Sequence, residues 1–250
     1  MPELTGTQWL LLAAGAFVTG LSKGGIAGLG ILAVVFFANA LPAKLSTGAL
    51  LPLLIAADVI GVTIYRKHAQ WSHMGRLFPW VVAGIVTGWA ALGRIDNAQV
   101  SRLIGGIVLS MTGLHLWRQR FAADPAGLAA RVPHTWWFAG LTGFLAGFTT
   151  MVANAAGPLM ILYLLAVGLP KMEFLGTTAW FFLLVNVFKL PFSYGLGLIT
   201  PGSLALDAML LLPMVPGALL APWIVRRIPQ RGFERMVLVF TVLAAIRLLL

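Results

Sequence analysis

Apolar residues run along this chain in long stretches, each closed by Arg, Lys, Gly or Pro. A helix of about 20 apolar residues spans the hydrocarbon layer of a bilayer. On that measure, spans are expected over 46–65, 77–92, 104–117, 173–190 and 204–225, with a last one after Arg235 reaching Leu250. Two stretches differ. Residues 9–41 and 136–169 are each too long for one straight span and too short for two. Each is also interrupted, near 23–25 by Lys and Gly and near 149–158 by hydroxyls, an amide and Gly-Pro. A lysine at the centre of a membrane helix costs about 2.5–3.5 kcal/mol on insertion scales. Glycine adds about 1 kcal/mol against helix relative to alanine. A chain that accepts both in one place has a reason for broken backbone and positive charge at membrane depth, and that is how intramembrane anion sites are built.

The two halves read as repeats. Phe17-Val18-Thr19-Gly20 matches Phe144-Leu145-Ala146-Gly147, and Leu41-Pro42 matches Leu169-Pro170. The Leu-Pro register sets Asp58 opposite Asn186; further on, with the offset drifting as short loop insertions would cause, Pro79 matches Pro213, Arg94-Ile95 matches Arg227-Ile228 and Arg102 matches Arg235. The expected fold is therefore all-α: a polytopic membrane bundle of two pseudo-symmetric, inverted repeats. Each repeat has a broken or re-entrant first segment followed by three transmembrane helices. One domain covers 1–250, with repeat one at about 9–120, a linker at 121–133 and repeat two at 134–250. Basic residues between segments arbitrate the topology. If the first and fifth segments both cross, the two sides carry similar numbers of Lys and Arg. If both re-enter, the counts become about eleven against four, the bias that orients membrane proteins. The re-entrant arrangement makes the repeats inverted and leaves both termini outside.

Composition agrees. The chain has 250 residues, 60% hydrophobic and 10% charged, with mean hydropathy +0.94. Soluble domains carry about 25% charged residues. The net charge of +10 would suggest nucleic acid in a soluble protein. Here the cations fall between apolar runs and serve topology and lipid headgroups, so no nucleic-acid partner is expected. Cysteine is absent, which excludes disulfides, thiolate metal sites and cysteine nucleophiles. No basic n-region precedes the first apolar run, so no cleaved signal peptide is expected. No nucleotide-binding loop is present, and the four histidines lack metal-ligand spacing, so neither cofactor nor metal is expected.

Candidate chemistry gathers at the breaks. Gly20, Gly24 and Gly28 recur at the spacing of a small-residue packing face. Gly25 and Gly30 exceed that need, so Ser22-Lys23-Gly24-Gly25 reads as an unwound turn whose amides face a ligand. An anion at the start of the following half-helix fits its dipole. In the second half, Thr149, Thr150 and Asn154 are donors for an oxyanion, against the plain alternative that the threonines bond their own helix carbonyls. Lys189, one turn after Asn186, has two readings of equal weight, a ligand group or a cation snorkelling to the interface. Asp58 is either a structural partner of Lys23 or Lys189, or a proton carrier or gate, because a low dielectric favours the neutral acid. Asp207, near the start of its segment, is expected at the interface.

With these motifs in place, Gly20-Leu21-Ser22-Lys23-Gly24-Gly25 resembles the sulfite exporter TauE/SafE family of membrane permeases. The likeness extends to 147–158 followed by Leu169-Pro170, and to Gly176-Thr177-Thr178-Ala179 and Asn186-Val187-Phe188-Lys189. It implies transport of sulfur anions such as sulfite or organosulfonates by a bundle of about seven or eight segments, without fixing the substrate or the direction. The expectation is a non-enzymatic secondary transporter in the cell (inner or plasma) membrane. Its substrate-binding residues would be Ser22, Lys23, Gly24, Gly25, Thr149, Thr150, Asn154, Asn186 and Lys189, with Asp58 as proton-coupling or gating residue. Its partners would be a small anion and the lipid bilayer, and a homodimer is allowed. The alternative is a membrane-embedded scaffold subunit, which the short loops disfavour.

Overall fold

The structure is a computed structural model that describes residues 4–94 and 136–227 apart from Ala27, with isolated positions at Asp96, Ala98, Gln99, Pro229, Gly232 and Val239. The segments expected over 104–117 and after Arg235, the linker 121–133 and the Arg102/Arg235 match lie outside the described residues, except at Val239. Among the described residues the regular elements are helices: α1 (Gly6–Lys23), α2 (Gly30–Ala40), α3 (Ala43–Tyr65), α4 (Trp71–Leu92), α5 (Trp136–Ala153), α6 (Gly157–Val167), α7 (Lys171–Gly195) and α8 (Pro201–Arg227). Five are long and apolar enough, by length and composition, to cross a membrane. Both long segments are broken where the polar residues fall. α1 and α5 have 18 residues each and α2 and α6 have 11 each, so the two halves share one pattern of lengths.

The chain forms two compact units, Met1–Lys67 with Ala179–Pro229 and His68–Thr178 with Gln230–Leu250. In the first unit, Thr5 and Gln8 close a capping box at the start of α1. The Gln8 Nε2 also donates to the Ala40 carbonyl at 2.9 Å, satisfying an end group of α2. Gly15 leaves room for the Phe37 ring, and Ser22 lies against Gly30. Contacts at 8/40, 15/37 and 22/30 define an antiparallel hairpin, so the first segment turns back on itself. Leu12, Ala16, Phe37, Leu53, Leu210 and Met214 fill the core between α1, α2, α3 and α8.

α1 and α8 approach backbone to backbone. A Cβ on Gly20 would overlap the Met214 carbonyl, one on Gly24 the Ala218 carbonyl, and one on Gly217 the Phe17 carbonyl. Pro222 removes the intrahelical bond that Ala218 O would otherwise accept, which leaves that carbonyl free to face Gly24. In the second unit, a Cβ on Gly147 would overlap the Val81 carbonyl, and one on Gly84 would overlap Phe144 O and crowd Phe148 N. The matches Phe17/Phe144 and Gly20/Gly147, with Val81/Met214 and Gly84/Gly217 on the partner helices, relate the first clasp to the second. Gly20→Val and Gly147→Val are each expected to cost at least the roughly 1–3 kcal/mol of an overpacked core, read as a lower thermal unfolding midpoint. Unchanged midpoints in both variants would show that the helices do not meet this closely.

Candidate functional site

α1 stops at Lys23 because two glycines follow. Gly25 has φ +132°, a conformation that side chains resist. The Gly24 amide donates to Gly20 O at 2.8 Å, the Gly25 amide to Ser22 O at 3.2 Å and the Ile26 amide to Leu21 O at 3.0 Å. The Gly24 carbonyl accepts a bond from the Tyr65 hydroxyl at 2.7 Å. These bonds correct one expectation: the Gly24 and Gly25 amides close the end of α1 and do not face outward as a cradle. Gly24 serves the clasp with α8, and Gly25 and Gly28, both at positive φ, turn the chain toward α2. Tyr65 left no signal in the sequence, since an aromatic residue at a segment end reads as interfacial.

The turn sets the Lys23 side chain against α3 and α7. Its Nζ lies 2.8 Å from Asp58 Oδ1 and 4.0 Å from the centroid of the Phe182 ring. Asn186 Nδ2 donates to Asp58 Oδ2 at 2.7 Å. Asp58 therefore meets the residue that the repeat register sets opposite it. Lys189 is buried to 1% exposure, within electrostatic reach of both Lys23 and Asp58. It does not snorkel. The cluster thus brings together two lysine side chains, one aspartate and one asparagine. The Lys23 side chain, 12% exposed, is its accessible member, because Asp58, Asn186 and Lys189 are each 1% exposed.

The second unit holds the other break. Thr149 and Thr150 are buried, and the Thr149 hydroxyl donates to Ala146 O at 3.3 Å, the alternative that the sequence left open. The Asn154 amide donates to Thr150 O at 3.0 Å, and Asn154 takes φ +53°, which asparagine tolerates better than most residues. α6 then starts at Gly157-Pro158, with proline at a position where no amide is needed.

Asp207 is expected at the interface, yet it is buried within the protein. It is enclosed at 5% exposure, on the buried face of α8. The acidic residue alone carried no sign of this, because an aspartate near a segment start also suits a membrane surface. Among the described residues no group of three His, Asp or Glu side chains is close enough to hold a metal ion.

A family model described as sulfite exporter TauE/SafE matches residues 12–248. Comparisons with curated proteins and with solved structures found no match.

Proposed function

We propose, because this chain belongs to the sulfite exporter TauE/SafE family, that it is a secondary transporter of sulfur oxyanions or organosulfonates whose anion site centres on Lys23. The family is one of membrane transporters for sulfur anions, not of enzymes. The observation that carries the finer reading is the enclosed Lys23–Asp58 pair, 2.8 Å apart at the end of a broken helix. An ionisable residue at membrane depth is a functional site by default. Two lysines beside one aspartate suit a small anion. Asp58 is the gate: it occupies Lys23 in the resting state and yields it to the arriving anion. Asn186 orients Asp58, and Lys189 supplies the second charge.

Ser22 stands beside the start of α2, which has no side-chain cap, so the first amides of that half-helix serve as further donors to oxygen. Gly24 and Gly25 shape the turn that aims Lys23. In the second unit, Thr149, Thr150 and Asn154 are assigned the same task at their own break. The α1–α2 hairpin supports a re-entrant first segment. The matched clasps, and the contact of Asp58 with its own counterpart Asn186, support duplication. Inverted repeats in the cell membrane, both termini outside, follow as the proposed topology.

Counterflow in proteoliposomes across sulfite, sulfate, thiosulfate and a short sulfonate tests the reading. Saturable exchange of at least one of these is expected. Exchange of none, from protein that is folded and inserted, would remove the transporter assignment.

A further inference from the structure

Asp207 is an enclosed acid that the anion site does not use. It shares the buried face of α8 with Leu210, Met214, Gly217 and Val225. Among the described residues, neither of its carboxylate oxygens has a hydrogen-bond partner. The helices packed most closely on α8 are α1 and α3. Their ionisable residues are Lys23 on α1 and Lys44, Asp58 and Tyr65 on α3, and α8 itself adds Arg226 and Arg227. Lys23 and Asp58 hold each other, Tyr65 is bonded to Gly24, and the arginines stand at the far end of α8. The Lys44 side chain lies outside the described residues. An ionised carboxylate enclosed without a partner is among the costliest groups to bury.

Packing does not explain the acid. Aligning the buried faces of α4 and α8, one residue off the Pro79/Pro213 match, sets Asp207 against Met74 on α4, buried to 3%. Leu77, Val81, Gly84 and Leu92 of α4 occupy that face where Leu210, Met214, Gly217 and Val225 occupy it on α8. A methionine therefore fills this position in one half, and an acid fills it in the other. The place of Asp207 is also mechanically connected to the anion site. α8 is clasped to α1 at Gly20, Gly24 and Gly217, and α1 ends at Lys23. Ionising Asp207 requires water, which requires α8 to part from its neighbours at that end, and the clasp passes such a shift to Lys23.

We propose that Asp207 is the proton-binding site that couples anion movement to a pH gradient, separate from the Lys23–Asp58 cluster. The inference rests on the transporter reading above. A proton suits the site better than a metal cation, because a cation needs several oxygen ligands and the hydroxyl oxygen of Ser203, one turn away, already accepts from the Thr200 amide at 2.9 Å.

The test uses the purified full chain in proteoliposomes, comparing equal-pH counterflow with accumulation driven by a pH gradient. With one proton per monovalent anion, a gradient of one pH unit supports about tenfold accumulation. Wild type is expected to approach that ratio. Asp207→Asn and Asp207→Met are expected to keep counterflow yet accumulate to a ratio of about one, the free-energy gradient being unused. Asp207→Met is also expected to match or exceed wild type in thermal stability, since Met74 serves the matching position. Gradient-driven accumulation at the wild-type level in both variants, or no gradient response in wild type with counterflow intact, would overturn the proposal. So would loss of counterflow in both folded variants, which would place Asp207 in the anion path. A second readout needs no transport at all: a hydrophobic carbodiimide should modify the protonated Asp207 of wild-type protein, detected by mass spectrometry, and an unmodified Asp207 peptide counts against the site. Failure of counterflow in wild type would instead remove the transporter reading while leaving this labelling result standing.

Discussion

Lys23→Ala is expected to reduce sulfur-anion exchange in proteoliposomes to the level of empty liposomes. The anion loses the accessible charge of the cluster, and Lys189, at 1% exposure, is not placed to meet it first. The variant also strands Asp58, whose Oδ1 then has no cation at 2.8 Å. Removing one partner of a buried ion pair costs about 3–5 kcal/mol. That is a large share of the roughly 5–15 kcal/mol by which proteins are stable. A lower yield of Lys23→Ala would therefore say nothing about transport. Combining it with Asp58→Asn removes both charges and leaves an amide that Asn186 can still bond. The double variant is expected to recover stability and to remain inactive. Recovery of exchange along with stability would make Lys23 a structural residue.

Asp58→Asn alone is expected to act in the opposite direction on binding. Lys23 then lacks its internal counter-ion, and an unpaired buried charge costs about 2–5 kcal/mol. An arriving anion recovers part of that cost, so the variant should bind sulfur anions at least about tenfold more tightly than wild type. The same change should lower the unfolding midpoint without anion and enlarge the upward shift on adding one, since a ligand that binds the folded state stabilises it by mass action. Turnover should fall, because a site without its gate releases its anion slowly. An anion-induced shift smaller than that of wild type would remove Asp58 as the gate.

The breaks were legible in the sequence because they cost energy that an ordinary membrane helix avoids. Lys23 beside Gly24 and Gly25 marked the end of α1, and Gly157-Pro158 marked the start of α6. The Asp58/Asn186 correspondence was visible as register, and the structure gives it physical form as a 2.7 Å hydrogen bond. Other features were hidden because they depend on partners far away in sequence. Gly20 and Gly24 fit either a packing ladder or a ligand-facing turn, and the choice rests on where Met214 and Ala218 present their carbonyls. The choice of Lys23 over Lys189 as the close partner of Asp58 depends on how α1 meets α3. The Asp207 enclosure follows from helix packing that no local pattern encodes. Phe182 contributes a ring under the Lys23 ammonium, yet in an apolar segment it looks like any other core aromatic.

The most direct measurement is equilibrium binding of a radiolabelled sulfonate or sulfite to the purified protein in detergent, with no membrane gradient involved. Saturable binding by wild type, tighter binding by Asp58→Asn and none by the folded Lys23→Ala/Asp58→Asn pair is the predicted result. Wild-type affinity in that double variant would contradict the claim that Lys23 holds the transported anion.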